Sequence, residues 1–272
     1  MCKVAVLASN AMLVVAACVL FELAVLDTAS AASGDFTGRR KQAACATDLQ
    51  SCPLRGCGEE GSSDAQVNEL KHTRPGPGTA LALTFDDFSE LQELAQTRVS
   101  QGKAIAVDER AKLQGFPLAS NKTVSEGDLV ELRGFVVQDS PRPKPAGPES
   151  VNCRLTKAEN NDIHIPIVED AEDEEFGAIV VEMIPQDRPA SWNSKKLKRA
   201  AREERPVLIR GQLFYDNKHK VNGDAEHDNG EPKRFTLWEI HPVTEFWVCI
   251  RADKKCGSTL ARSKDWKALK DF

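Results

Sequence analysis

The stretch at 178–216, AIVVEMIPQDRPASWNSKKLKRAAREERPVLIRGQLFYD, decides the fold. Residues 178–185 are apolar apart from Glu182 and rich in β-branched side chains, and they read as a strand. Residues 192–204, WNSKKLKRAAREE, read as a helix with a basic outer face. Residues 206–216, PVLIRGQLFYD, return to a strand. A single helix thus separates two strands, and its place in the fold depends on what lies to either side.

Upstream, residues 128–138, DLVELRGFVVQ, read as a strand, followed by the proline-rich loop DSPRPKPAGPES at 139–150. Residues 163–168, IHIPIV, read as a second strand approached through 152–155. The acidic connector EDAEDEE at 169–175 reads as a solvated loop. Downstream, residues 217–233 form a long polar loop holding His219 and His227. Residues 234–249, which include TLWEIHPVTEFWVC, read as a fifth strand. The order is β-β-β-α-β-β. Five strands with one helix between the third and fourth is the order of the OB-fold, a small Greek-key barrel. The expectation is therefore a mainly β chain with an OB-fold-like barrel at 127–250. Gly134 and Gly211 fall inside the first and fourth strands, where a small barrel bends sharply and leaves little room for a side chain.

The remaining segments surround that barrel. Lys3, the apolar run from Val4 to Leu26 and the Ala29-Ser30-Ala31 sequence have the pattern of a cleaved signal peptide at 1–31. Two alternatives are a lipid anchor at Cys18, in the box Val15-Ala16-Ala17-Cys18, and an uncleaved membrane anchor. No later segment is apolar enough to span a bilayer. The expectation is export to the periplasm, the cell envelope or the medium. Residues 32–83 read as an irregular, cysteine-containing arm, 84–126 as a short helical segment with an amphipathic helix at 86–99, and 251–272 as a charged tail. Cleavage leaves six cysteines, an even number that suits disulfides in an oxidising compartment. Cys52 with Cys57, and Cys249 with Cys256, are the nearest pairs in sequence, although fifteen pairings are open. No C-x-x-C pair points to a zinc knuckle.

The net charge of −5 excludes a global field attracting nucleic acid. The basic residues sit on the helix, EDAEDEE adjoins the usual OB-fold binding surface, and aromatic platforms are scarce. Nucleic acid as a partner is an analogy from the fold alone.

Strand side chains alternate between faces, so Asp162 with His164, and Glu239 with His241, each share a face. Glu182 lies in the third strand, Asp216 ends the fourth, His219 follows it, and Arg188 and Arg234 flank the third and fifth. These residue types bind metals, exchange protons or hydrogen-bond an anionic or sugar-like ligand. The leading expectation is a surface made of Asp162, His164, Glu182, Arg188, Asp216, His219, Arg234, Glu239 and His241 that binds a polar small-molecule or polymeric ligand. One alternative is a metal-dependent hydrolase of nuclease or phosphodiesterase type, with His164, His241 and Glu239 as catalytic candidates and a divalent metal as cofactor. The other is a structural or interaction protein in which the same groups only pair with one another. No H-E-x-x-H, G-x-S-x-G or phosphate-binding glycine loop is present.

CPLRGCG, NELKHTRP, SVNC followed by NDIHIPIV, VVEMIPQDRPASW, VLIRGQLFYDNKH and RFTLWEIHPVTEFWVC resemble segments of a family of uncharacterised exported bacterial proteins. The resemblance runs from about Cys52 to Cys249 and implies export and these domain boundaries, but no mechanism. The chain departs from that pattern at Lys71-His72-Thr73, where a Lys-Asn-Arg run is expected, and at Arg154, where a histidine is common. If that histidine is a ligand in the relatives, its replacement counts against a metal site here.

Overall fold

In a computed structural model that describes residues 43–100, 102, 104–221, 233–257 and 264–272, the elements in chain order begin with α1 (Ser63–His72), β1 (Leu81–Leu83) and α2 (Phe85–Gln96). The pairs β2 (Phe116–Pro117) and β3 (Thr123–Val124) lead to β4 (Leu129–Val136) and the short β5 (Lys144–Pro145). Then come β6 (Ile163–Val168), β7 (Ile179–Met183), α3 (Ser194–Arg202), β8 (Pro206–Tyr215), β9 (Trp238–Cys249) and β10 (Trp266–Ala268).

The five barrel strands are β4, β6, β7, β8 and β9. They run in the order β4-β8-β9-β7-β6, and β6 returns to β4 to close the ring. Only the β7–β9 pairing within that ring is parallel, with Val181 beside Ile240. This is the expected OB-fold-like barrel, with α3 between its third and fourth strands. Ile163, Ile165, Ile167, Val181, Met183 and Ile240 fill the interior together with Trp238, Leu213 and Tyr215. The Trp238 indole donates to the Leu91 carbonyl of α2 at 3.0 Å, which ties that helix to the barrel end. Thr84 starts α2 with a reciprocal capping box to Asp87, an arrangement worth about 1 kcal/mol at such a terminus.

Gly134 and Gly211 stand where strands cross too closely for a side chain. A Cβ at Gly134 would lie 2.5 Å from the Val168 carbonyl oxygen, and one at Gly211 2.2 Å from that of Pro242. The β8–β9 register also breaks at Gly211.

Five expectations are corrected. The arm is not irregular throughout: Ser62 caps α1, and β1 pairs parallel with β4. Helix α1 has no apolar stripe to announce it, because it is held largely by polar bonds such as Asn68 Nδ2 to Arg55 O and to Ser150 Oγ. Cys52 and Cys57 do not pair with each other. The disulfides are Cys45–Cys57 and Cys52–Cys153, because the arm folds back on the 150–153 turn, where Cys57 N donates to Ser150 O and Cys45 N to Cys153 O. Cys249–Cys256 forms as expected. The tail is docked: buried Trp266 and Leu269 anchor it, and β10 pairs with β9. Residues 152–155 form a turn, and the fifth strand begins at Trp238.

Three disulfides indicate a non-reducing environment. Among the described residues no helix is long and apolar enough to cross a membrane. The expected signal peptide and the alternative anchors fall on residues 1–42, outside those described, as does His227.

Candidate functional site

With the isoleucines of β6 pointing inward, His164 points out of the barrel, and the same period turns Glu182 outward from β7 and Glu239 and His241 outward from β9. These outward residues are nevertheless buried: Asp162, Glu239 and His241 are 0% exposed, Glu182 2% and His164 3%. The groups that reach into the cluster from above are Lys71 of α1 and Glu149 of the loop before Cys153.

Register brings the cluster together. His164 and Glu182 are direct partners across β6 and β7. The Val181–Ile240 pairing of the parallel strands sets Glu182 beside His241. Glu182 Oε2 lies 2.9 Å from His241 Nδ1 and 3.4 Å from His164 Nε2. His241 Nε2 is 3.8 Å from Asp162 Oδ2, and its Nδ1 is 3.7 Å from Glu239 Oε2. His164 Nε2 is 3.7 Å from Glu149 Oε1. Asn152 orients Asp162 by donating to its Oδ1 at 2.9 Å.

Most of these atoms approach without making hydrogen bonds. Asp162 Oδ2, Glu182 Oε2, Glu239 Oε2 and both ring nitrogens of His164 and His241 are enclosed, with no hydrogen-bond partner among the described residues. Buried polar atoms are usually paired, so a convergent group of unpartnered oxygens and ring nitrogens calls for an explanation. One ligand atom from each of Asp162, Glu182 and His241 lies within 4.8 Å of the others. Cys45, Cys57 and Cys153 also lie close together, but all three are committed to disulfides.

Two ion pairs frame the cluster. Lys71 Nζ is 2.7 Å from Asp216 Oδ2 and 5.5 Å from the centre of the Phe214 ring, which also lies 5.7 Å from the His241 ring. Arg234 donates to Glu239 through a short, fully buried contact. These pairs neutralise one another, so Glu149, Asp162 and Glu182 are the carboxylates left for the two imidazoles to answer.

The protonation states follow from that imbalance. Burial opposes charge on His241, but Glu182, then Glu239, hold its proton on up to about 10. Burial likewise opposes charge on His164, which Glu182 and Glu149 raise to about 9. Asp162 is pushed up to about 6 by burial and by Glu149, against the pull of His241. Burial also works against charge on Glu182, yet His164, His241 and Lys71 hold it well below the usual carboxylate range. Lys71 is raised well above an ordinary lysine because Asp216, Glu182 and Glu239 outweigh the cost of burial.

Of the residues singled out in the sequence, Asp162, His164, Glu182, Glu239 and His241 meet, and Arg234 and Asp216 border them. Arg188 does not join: it donates to the Met183, Ala158 and Glu159 carbonyls. His219 stays at the edge, 28% exposed and 3.9 Å from Asp216. Sequence reasoning missed Lys71, Glu149 and Asn152. Their positions in segments without periodicity carried no sign that they would fold over the barrel.

Comparison with known proteins finds no matching family model, no matching curated protein and no matching solved structure. Functional assignment therefore rests on this geometry.

Proposed function

We propose that the chain is an exported, OB-fold-like metal-binding protein whose enclosed centre takes a divalent cation on Asp162, Glu182 and His241. The observation that carries this reading is the convergence of their buried, unpaired ligand atoms within 4.8 Å. Groups that only satisfied one another would align donors with acceptors, whereas here Asp162 Oδ2, Glu182 Oε2 and both ring nitrogens of His241 make no hydrogen bond among the described residues. Two carboxylates with one imidazole favour a first-row divalent ion such as zinc, manganese or iron over calcium or magnesium.

The enclosure also supports an ion over a polymeric ligand, since the donors are at most 2% exposed. The Cys52–Cys153 disulfide and α1 act as a cover that keeps bulk water and large ligands off the centre. Export fits the three disulfides.

Elemental analysis of protein prepared without a His-tag tests the proposal, followed by titration with zinc and manganese(II). At least one tightly held equivalent is expected, and it should vanish in Glu182→Gln. No stoichiometric metal, and none taken up on addition, would overturn it.

A further inference from the structure

The centre continues beyond the first cation position. Glu182 Oε2 sits between two imidazoles, 2.9 Å from His241 Nδ1 on one side and 3.4 Å from His164 Nε2 on the other. His164 is 3% exposed, and neither of its ring nitrogens has a hydrogen-bond partner among the described residues. A buried imidazole normally donates through at least one nitrogen, so its orientation is not explained by self-pairing. Glu149 stands on the far side, with Oε1 3.7 Å from His164 Nε2. Its Oε2 is enclosed and unpaired, although the side chain as a whole is 33% exposed.

We propose a second cation position, formed by His164, Glu149 and the shared carboxylate of Glu182, so that Glu182 bridges a two-metal centre. This rests on the reading of the first position. The donor set again mixes carboxylate oxygen with imidazole nitrogen and so selects the same class of first-row divalent ion. The charges agree with it. Lys71 with Asp216 and Arg234 with Glu239 are already balanced. Two dications against Glu149, Asp162 and Glu182 leave one positive charge for an anionic ligand to answer. Glu149 lies at the solvent side, so the second position is the more accessible of the two. A carboxylate-bridged cation pair is an arrangement that clamps both oxygens of a displacement at phosphorus or carbon.

Metal stoichiometry in manganese(II)-loaded protein tests the proposal, together with electron paramagnetic resonance of the bound ions. The wild-type chain is expected to hold two equivalents with a spin-coupled signal. Glu149→Gln and His164→Gln should each hold one, with the signal of an isolated ion. Glu149→Gln keeps the test open if the buried His164 variant fails to fold, because Glu149 lies on a partly exposed loop. One uncoupled equivalent in the wild type, unchanged in Glu149→Gln, would overturn the second position and leave the first intact. No bound manganese or zinc at all would remove both.

Discussion

Glu182 Oε2 and His241 Nδ1 lie 2.9 Å apart, yet neither atom makes a hydrogen bond among the described residues. The contact has the distance of an ion pair without the direction of an N–H donation. Because β7 and β9 run parallel, with Val181 beside Ile240, the backbone itself holds the two side chains at this separation.

Glu182→Gln should therefore do two things. It should abolish cation uptake, and it should destabilise the cation-free protein by about 3–5 kcal/mol, the usual cost of removing one partner from a buried charge pair. Metal titration and urea denaturation on the same preparation check both. A variant that binds metal and unfolds like the parent would remove Glu182 from the centre.

Cation removal should lower the melting temperature. A folded-state site at 100 times its dissociation constant in free cation contributes about 2.7 kcal/mol. Calorimetry with a chelator, then with zinc restored, should show a reversible fall. A melting temperature indifferent to both additions would argue that no cation is coupled to the fold.

The disulfide of the cover can be distinguished by mutation from the one near the C-terminus. Cys52 and Cys153 are 101 residues apart in sequence, whereas Cys249 and Cys256 are separated by 7. Replacing Cys52 and Cys153 by serine should cost about 2–5 kcal/mol, and replacing Cys249 and Cys256 should cost less, since the shorter loop restricts the unfolded chain less. Only the first replacement should also speed cation exchange, which a competing chelator would measure.

Acid should weaken the arm's attachment at Asp216. The Lys71 ammonium, with His219 behind it, holds this carboxylate below its ordinary range in spite of burial. A depressed folded-state value means the stabilisation is complete above the unfolded carboxylate value of about 4 and is lost as pH falls through the folded value. Urea midpoints of the wild type should drop between pH 7 and pH 3. In Asp216→Asn the dependence should be flatter, and at pH 7 the loss should be about 3–5 kcal/mol because Lys71 is left buried without its partner. Equal slopes for both proteins would exclude the pair as a source of acid sensitivity.

Gly211→Ala probes barrel closure. Its Cβ would meet the Pro242 carbonyl oxygen at 2.2 Å, at the break in the β8–β9 register, and backbone cannot yield as a flexible side chain can. A loss of about 1–3 kcal/mol is expected from the forced overlap. A melting temperature within a degree of the parent would mean that the strands part there at little cost.

Much of this architecture was legible in the sequence because it is local. The 192–204 stretch reads as a helix from its own residues, and its place between two apolar runs sets the strand order. The pairing of Asp162 with His164 and of Glu239 with His241 on common faces needs only the two-residue period of a strand. The Gly134 and Gly211 positions could be read in the same way, as bends inside strands. Helix α1 was not legible, because Ala65, Val67 and Asn68 face inward without forming an apolar stripe.

What the sequence alone determined is the barrel, since strand periodicity and element order depend on neighbours in the chain. Tertiary structure decided which neighbours cross the barrel. Closure sets β7 parallel to β9, and that makes Glu182 the hub between His164 and His241. The fold-back of the arm matched Cys52 to Cys153, brought Lys71 to Asp216 and turned an outward-facing strand surface into a buried centre. Those contacts join residues far apart in the chain, and no local pattern of side chains encodes which distant partner each will meet.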